Sequence, residues 1–157
     1  MPTYLGKYLN KLGVNKSKIA NDANIKWPRM NDLCNDHTAK PYAEELYKVI
    51  LLAHQQSGLS EETFNIAVDE ILPKRPKIDL LAEFKDLSPE GKFFKKYTQK
   101  QTDIEHKLGI ANGKISKYFG DKSKRALAVE IIAFADGMGL DVLEVLKKIY
   151  GEIKIEE

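Results

Sequence analysis

One offset organises this chain. Shifted by 85 residues, positions 3–50 overlay positions 88–135 without a gap, and eight of those 48 positions are identical: Gly6/Gly91, Lys7/Lys92, Lys11/Lys96, Ile19/Ile104, Ile25/Ile110, Asp36/Asp121, Ala43/Ala128 and Glu45/Glu130. Ordinary residue frequencies would give roughly three. Conservative pairs share the register, among them Thr3/Ser88, Tyr8/Phe93, Ser17/Thr102, Met30/Ile115, Lys40/Arg125 and Leu46/Ile131. Further on, Gly58-Leu59-Ser60 matches Gly139-Leu140-Asp141 at an offset of 81, so the first copy carries four extra residues, which the pattern places in its fourth helix. A chain built this way folds one unit twice.

The spacing inside each copy predicts five helices and no strand, because no segment alternates with period two. Thr3 and Ser88 are N-caps, Pro89 suits a first helical position, and the apolar stripes Tyr4, Leu5, Tyr8, Leu9, Leu12 and Phe93, Phe94, Tyr97 mark helix 1 at about 4–12 and 89–98. Helix 2 is expected at 16–22 and 101–107, and a positive-φ residue, Asn24 or Gly109, ends it tightly. A short third helix follows, with Met30 and Leu33, or Ile115 and Tyr118, on its buried face. Residues 41–56 and 126–137 form helix 4, and Ser60 and Asp141 cap helix 5 at about 61–72 and 142–150. Pro73-Lys74-Arg75-Pro76-Lys77 breaks the chain between the copies. The expected division is a first domain at 1–72, a linker at 73–87 and a second domain at 88–157, with the apolar cluster Ile78, Leu80, Leu81, Phe84 and Leu87 packing on one of the two copies.

The formal net charge of +2 hides a division that both copies repeat. Residues 1–40 carry +4 and residues 41–84 carry −4, whereas residues 85–128 carry +6 and residues 129–157 carry −4. Positive charge therefore gathers on helices 1 to 3 and negative charge on helices 4 and 5. A tight two-helix unit with a basic surface suits double-stranded DNA, since an α-helix fits the major groove while lysines and helix N-termini hold the phosphates.

The run from Gln101 through Leu108-Gly109-Ile110 to Ile115-Ser116-Lys117-Tyr118 resembles the helix-turn-helix of phage-repressor and Cro-like (XRE-like) DNA-binding domains. It has the family's Gln at the start of helix 2, Gly-Ile at the turn and Ile-Ser in the recognition helix, and the likeness extends over residues 88–150. The first copy matches through Lys16-Ser17-Lys18-Ile19-Ala20, Ala23-Asn24-Ile25 and Trp27 to Leu33; its Ala20, the small residue the family favours between helices 2 and 3, is Glu105 in the second copy. The resemblance implies an all-α fold of two tandem five-helix, lambda-repressor-like helix-turn-helix domains, and a transcriptional regulator that binds double-stranded DNA.

Carried over position by position, the base-reading residues implied are Gln101, Asn112, Gly113, Ser116 and Lys117 in the second copy. In the first copy the same places hold Lys16, Trp27, Pro28, Asn31 and Asp32, although Asp32 repels phosphate and Trp27 has the alternative of packing beneath helix 1. Lys26, Arg29, Lys114 and Lys122 are expected at phosphates. Gln and Asn pair with adenine N6 and N7, and Lys reaches guanine O6 and N7. These differences make the second copy the expected reader.

Other classes fit less well. His37, His54 and His106 occupy unlike positions and read as surface or turn histidines, with no zinc spacing and no nucleophile motif, so neither a catalytic site nor a metal or cofactor site is expected, and the sequence does not reveal whether a small-molecule inducer binds. Cys34, the one cysteine, reads as a buried structural thiol at the place of Phe119 and forms no internal disulfide. No export signal or bilayer-length apolar run is present, which favours a cytoplasmic protein off the membrane. The alternative is a helical protein-interaction module that kept the fold and lost DNA. Joining two copies in one chain makes a covalent pseudo-dimer and leaves room for a homodimer.

Overall fold

The computed structural model describes residues 1–121 and 123–152, and among them the fold is all-α. Ten α-helices follow in order: α1 (Tyr4–Leu12), α2 (Lys16–Asp22), α3 (Trp27–Asn35), α4 (Ala43–Ser57), α5 (Phe64–Ile71), α6 (Pro89–Thr98), α7 (Gln101–Leu108), α8 (Lys114–Gly120), α9 (Ala128–Gly137) and α10 (Val142–Tyr150). The extra residues of the first copy do lengthen its fourth helix, 15 residues in α4 against 10 in α9.

Local chemistry sets the helix ends. The Thr3 hydroxyl accepts the Gly6 N–H at 3.0 Å and donates to the Leu33 carbonyl at 2.7 Å, so one side chain both caps α1 and ties it to α3. Ser88 accepts the Gly91 N–H at 3.1 Å at the start of α6. Asn24 (φ 58°) and Gly109 (φ 71°) take the left-handed conformation expected where α2 and α7 end. At the N-termini of α4 and α9 the equivalent glutamates act alike: Glu45 accepts the Tyr42 N–H at 2.9 Å, and Glu130 accepts the Leu127 N–H at 3.1 Å.

In the first copy α1 lies against α3, α4 and α5, while α2 packs on α3 and α4. Leu9, Ile19, Met30, Ile50 and Phe64 are fully buried there. Burying each such side chain is worth about 1.5–3 kcal/mol, which is what holds helices this short. The core does not stop at the boundary between the copies. α4 packs on α9 and α10, and α5 on α10, so that Ala128, Ile132, Ala135, Val142, Leu143 and Leu146 belong to the same apolar cluster as the first copy. The two copies share one interior rather than hanging as separate beads on the 73–87 linker.

That linker docks on the second copy. Leu80 is buried with Ile104, Leu108, Ala133 and Met138, and its N–H donates to the Gly137 carbonyl at 2.9 Å. A Cβ on Gly137 would lie 2.7 Å from Leu80 Cγ, so this crossing requires glycine. Arg75 sits beneath it, its guanidinium paired with Asp69 of α5 and with Asp136 of α9 at 2.8 Å.

Candidate nucleic-acid interface

The copies meet at one point of near-symmetry. Tyr42 and Leu127, equivalent in the repeat, form an isolated antiparallel bridge. The Ala43 N–H donates to the Ala126 carbonyl at 2.9 Å, and the Ala128 N–H donates to the Pro41 carbonyl at 2.9 Å. Each bond is the other under the 85-residue offset, which is what an isologous two-fold contact looks like when both halves share a chain. α3 ends seven residues before Tyr42 and α8 seven residues before Leu127, so segments of equal length join each helix to the bridge.

Around the axis the cations divide into two groups. Arg29 and Lys114, equivalent residues expected at phosphates, face inward. Arg29 Nη2 and Nε reach Glu45 Oε1 and Oε2 at 2.8 and 3.0 Å, and Lys114 Nζ reaches Glu130 Oε2 at 2.6 Å. Burial pushes the Glu45 and Glu130 carboxyls up, yet the hydrogen bonds from Arg29, and from Lys114 and Tyr118, hold both below the ordinary range. The Glu45 hydrogen bond likewise raises Arg29. A cation engaged in this way supports the fold and is a poor phosphate contact. Lys18, Lys26, Lys40, Lys100, Lys117 and Lys124 are instead exposed, with no ion pair among the described residues. Arg125 lies 4.3 Å above the Tyr42 ring, beside the axis.

The base-reading candidates of the second copy are all on the surface. Gln101, Asn112, Gly113, Ser116 and Lys117 are exposed, and the side chains of Gln101, Asn112, Ser116 and Lys117 make no hydrogen bond among the described residues. In the first copy Lys16 Nζ donates to Asn10 Oδ1 at 2.5 Å and Asn31 Oδ1 accepts from Asn35 Nδ2 at 3.0 Å, so two of its candidates are engaged locally. Asp32 and Pro28 are exposed. Trp27 is 49% exposed, which corrects the alternative that placed it beneath helix 1; Pro28 directs the start of α3 so that the indole faces solvent near Asn21 and Asn24. Lys122 lies outside the described residues.

Glu105 shows what the second copy does in place of the small Ala20. Only 1% exposed, its carboxylate accepts the Gly113 N–H at 3.0 Å and the Ile115 N–H at 2.9 Å. A side chain of α7 thus caps α8, whose N-cap residue Gly113 has no side chain to do so. Sequence reasoning treated Glu105 as a departure from the family; the following Gly113, a helix start without a capping side chain, was the available signal.

His54 also corrects an expectation. It is buried, not a surface or turn histidine, because the longer α4 carries it under α1: Nε2 lies 2.5 Å from the Tyr8 hydroxyl and Nδ1 3.2 Å from Thr63 Oγ1. Thr63 spends its own proton on the Ser60 carbonyl, so Nδ1–H donates to Thr63 and Nε2 accepts from Tyr8. Desolvation lowers the His54 pKa. His37 and His106 are exposed, and Cys34 is buried with its thiol pushed up by desolvation.

No group of three or more His, Cys, Asp or Glu side chains that could hold a metal occurs among the described residues, and no helix there is long and apolar enough to cross a membrane. No family model, curated protein or solved structure matches the chain.

Proposed function

We propose that this chain is a sequence-specific double-stranded DNA-binding protein, a transcriptional regulator of the phage-repressor-like kind, in which two helix-turn-helix units, α2–α3 and α7–α8, act as a covalent pseudo-dimer. The observation that supports the reading is the reciprocal pair of hydrogen bonds, Ala43 to Ala126 and Ala128 to Pro41, which joins equivalent segments of the two copies in the manner of a dimer contact. Palindromic duplex DNA has the same two-fold symmetry, and two linked units read two half-sites without a separate association step. The second unit supplies most of the base contacts through Gln101, Asn112, Ser116 and Lys117, and the unpaired lysines on both units hold phosphates.

Selection from randomised duplexes, followed by a salt titration on the winner, tests this. Each neutralised phosphate contributes about −0.9 to the slope of log K against log salt, so four to eight contacts give roughly −4 to −7. No enriched duplex, or a flat salt response, overturns the reading.

One observation favours a second reading, a protein-interaction module. α6 buries no residue and turns Phe93, Phe94 and Tyr97 to solvent. Large exposed apolar faces mark contact surfaces for proteins rather than for phosphate backbones.

A further inference from the structure

The repeat makes α6 the counterpart of α1, yet the two are placed differently. α1 fills the space between α3 and α5. The corresponding helices of the second copy, α8 and α10, border an open apolar groove of about 580 Å³ lined by Ile115, Tyr118, Ile131, Phe134, Val145 and Ile149. Residues that α1 covers in the first copy are bare in the second: Phe119 is 80% exposed against 2% for its equivalent Cys34, and Ile149 is 53% exposed against 1% for Val68. Meanwhile Phe93, Phe94 and Tyr97, the counterparts of Tyr8, Leu9 and Leu12, are 54, 65 and 74% exposed.

We propose that the groove is filled by α6 of a second copy of this chain, two molecules exchanging α6 reciprocally to form a homodimer. Three observations identify helix and source. First, Gly91 is retained. In α1 a Cβ on Gly6 would lie 2.1 Å from the Cys34 carbonyl, so close docking there demands glycine; around Gly91 only its own neighbours Leu87 and Ser88 approach. Gly91, in the first turn of α6, meets no such carbonyl in its own chain, and docking against the Phe119 carbonyl, as Gly6 docks against Cys34, is what would require it.

Second, the turn that folds α1 back onto its own copy is missing. Gly13 ends α1 at φ 67°, whereas the equivalent residue is Thr98, a β-branched helical residue that a positive φ would strain. The chain runs on through extended Gln99 and Lys100 instead, and Gln99 Oε1 is left buried without a partner among the described residues. An extended hinge between a docked body and a free helix favours exchange between chains over closure within one.

Third, the area suffices. Three partly exposed aromatic faces per helix from two helices, with the groove surface they cover, come to about 1,200 Å², the lower edge of the range of stable interfaces. The contact uses α6, α8 and α10 and leaves Gln101, Asn112 and Ser116 outside the exchanged surfaces.

Sedimentation equilibrium on the full chain is expected to give twice 17.8 kDa at micromolar concentration. Gly91→Ala, whose methyl meets only the Leu87 and Ser88 side chains at 3.3 Å on the free helix, should weaken the dimer at least tenfold while leaving the circular dichroism spectrum unchanged. Thr98→Gly, by restoring the turn, should shift the population toward monomer. In a Cys34→Ala background, mixing a Ser88→Cys chain with a Phe119→Cys chain and adding a short bis-maleimide should link them across chains. A monomer at every concentration, a link formed only within a doubly substituted chain, or a dimer indifferent to Gly91→Ala overturns the proposal.

Discussion

Tyr42 and Leu127 stand 85 residues apart, occupy the same place in the repeat, and pair with each other. Reciprocal pairing of equivalent residues makes this bridge a local two-fold contact, one that the unlike placement of α1 and α6 does not share. The buried Glu45 and half-buried Glu130 carboxylates, one helical turn beyond, cap the helices that start there and anchor Arg29 and Lys114.

Because the core runs across the boundary, the two copies should unfold together. Ile132 is fully buried in a cluster that includes first-copy residues. Ile132→Ala should cost about 2–5 kcal/mol and move one common urea transition monitored by both circular dichroism and Trp27 fluorescence. Two separated transitions, with Trp27 indifferent to the substitution, would refute the shared core.

Removing the Glu105 carboxylate leaves the Gly113 and Ile115 N–H groups without their acceptor. Glu105→Ala should lose about 1–3 kcal/mol of stability, and hydrogen exchange at Gly113 and Ile115 should accelerate first. Unchanged protection there would mean that the cap is not formed.

On cognate DNA the cations should sort by their present partners. Lys117→Ala should reduce the magnitude of the salt slope by about 1. Lys114→Ala, whose amine is bound to Glu130, should instead lower thermal stability. Gln101→Ala or Asn112→Ala should cost about 1–3 kcal/mol at one base pair, whereas Lys16→Ala should weaken cognate and scrambled duplexes alike. If Lys16→Ala abolished discrimination and the other two did not, the first copy would be the reader.

His54 gives a pH dependence with a definite sign. Its native pKa is lowered by burial, so the unfolded chain takes up a proton at a higher pH than the folded one. The stability this neutral histidine contributes is complete above the unfolded value of about 6.5 and is lost as pH falls through the window below it. Melting temperature should therefore drop between pH 7.5 and 5.5, and His54→Gln should flatten that slope. An equal slope in the variant would assign the effect elsewhere.

Helix positions were legible in the sequence because they depend on local signals: Thr3, Ser88 and Asp141 as caps, Asn24 and Gly109 as stops, and apolar spacing for the buried faces. The repeat also matches the order in which five helices follow one another in each half of the described chain. The exposed places of Gln101, Asn112 and Ser116 were implied by the resemblance to phage-repressor-like domains.

What the sequence could not determine was pairing across space. The inward turn of Arg29 and Lys114 depends on glutamates 16 residues further along, brought close only when α4 and α9 pack. His54 became buried because α4 is long enough to carry it under α1 and against Tyr8. The common core arose from apolar faces on α4, α5, α9 and α10 that either copy alone would leave in water. Local propensity is written in neighbouring residues and acts within a few turns, so the sequence by itself was enough to place the ten α-helices of the described residues. Which charge neutralises which, and which apolar face meets its counterpart, depends on distances that exist only after the chain has packed, and those the tertiary structure alone decided.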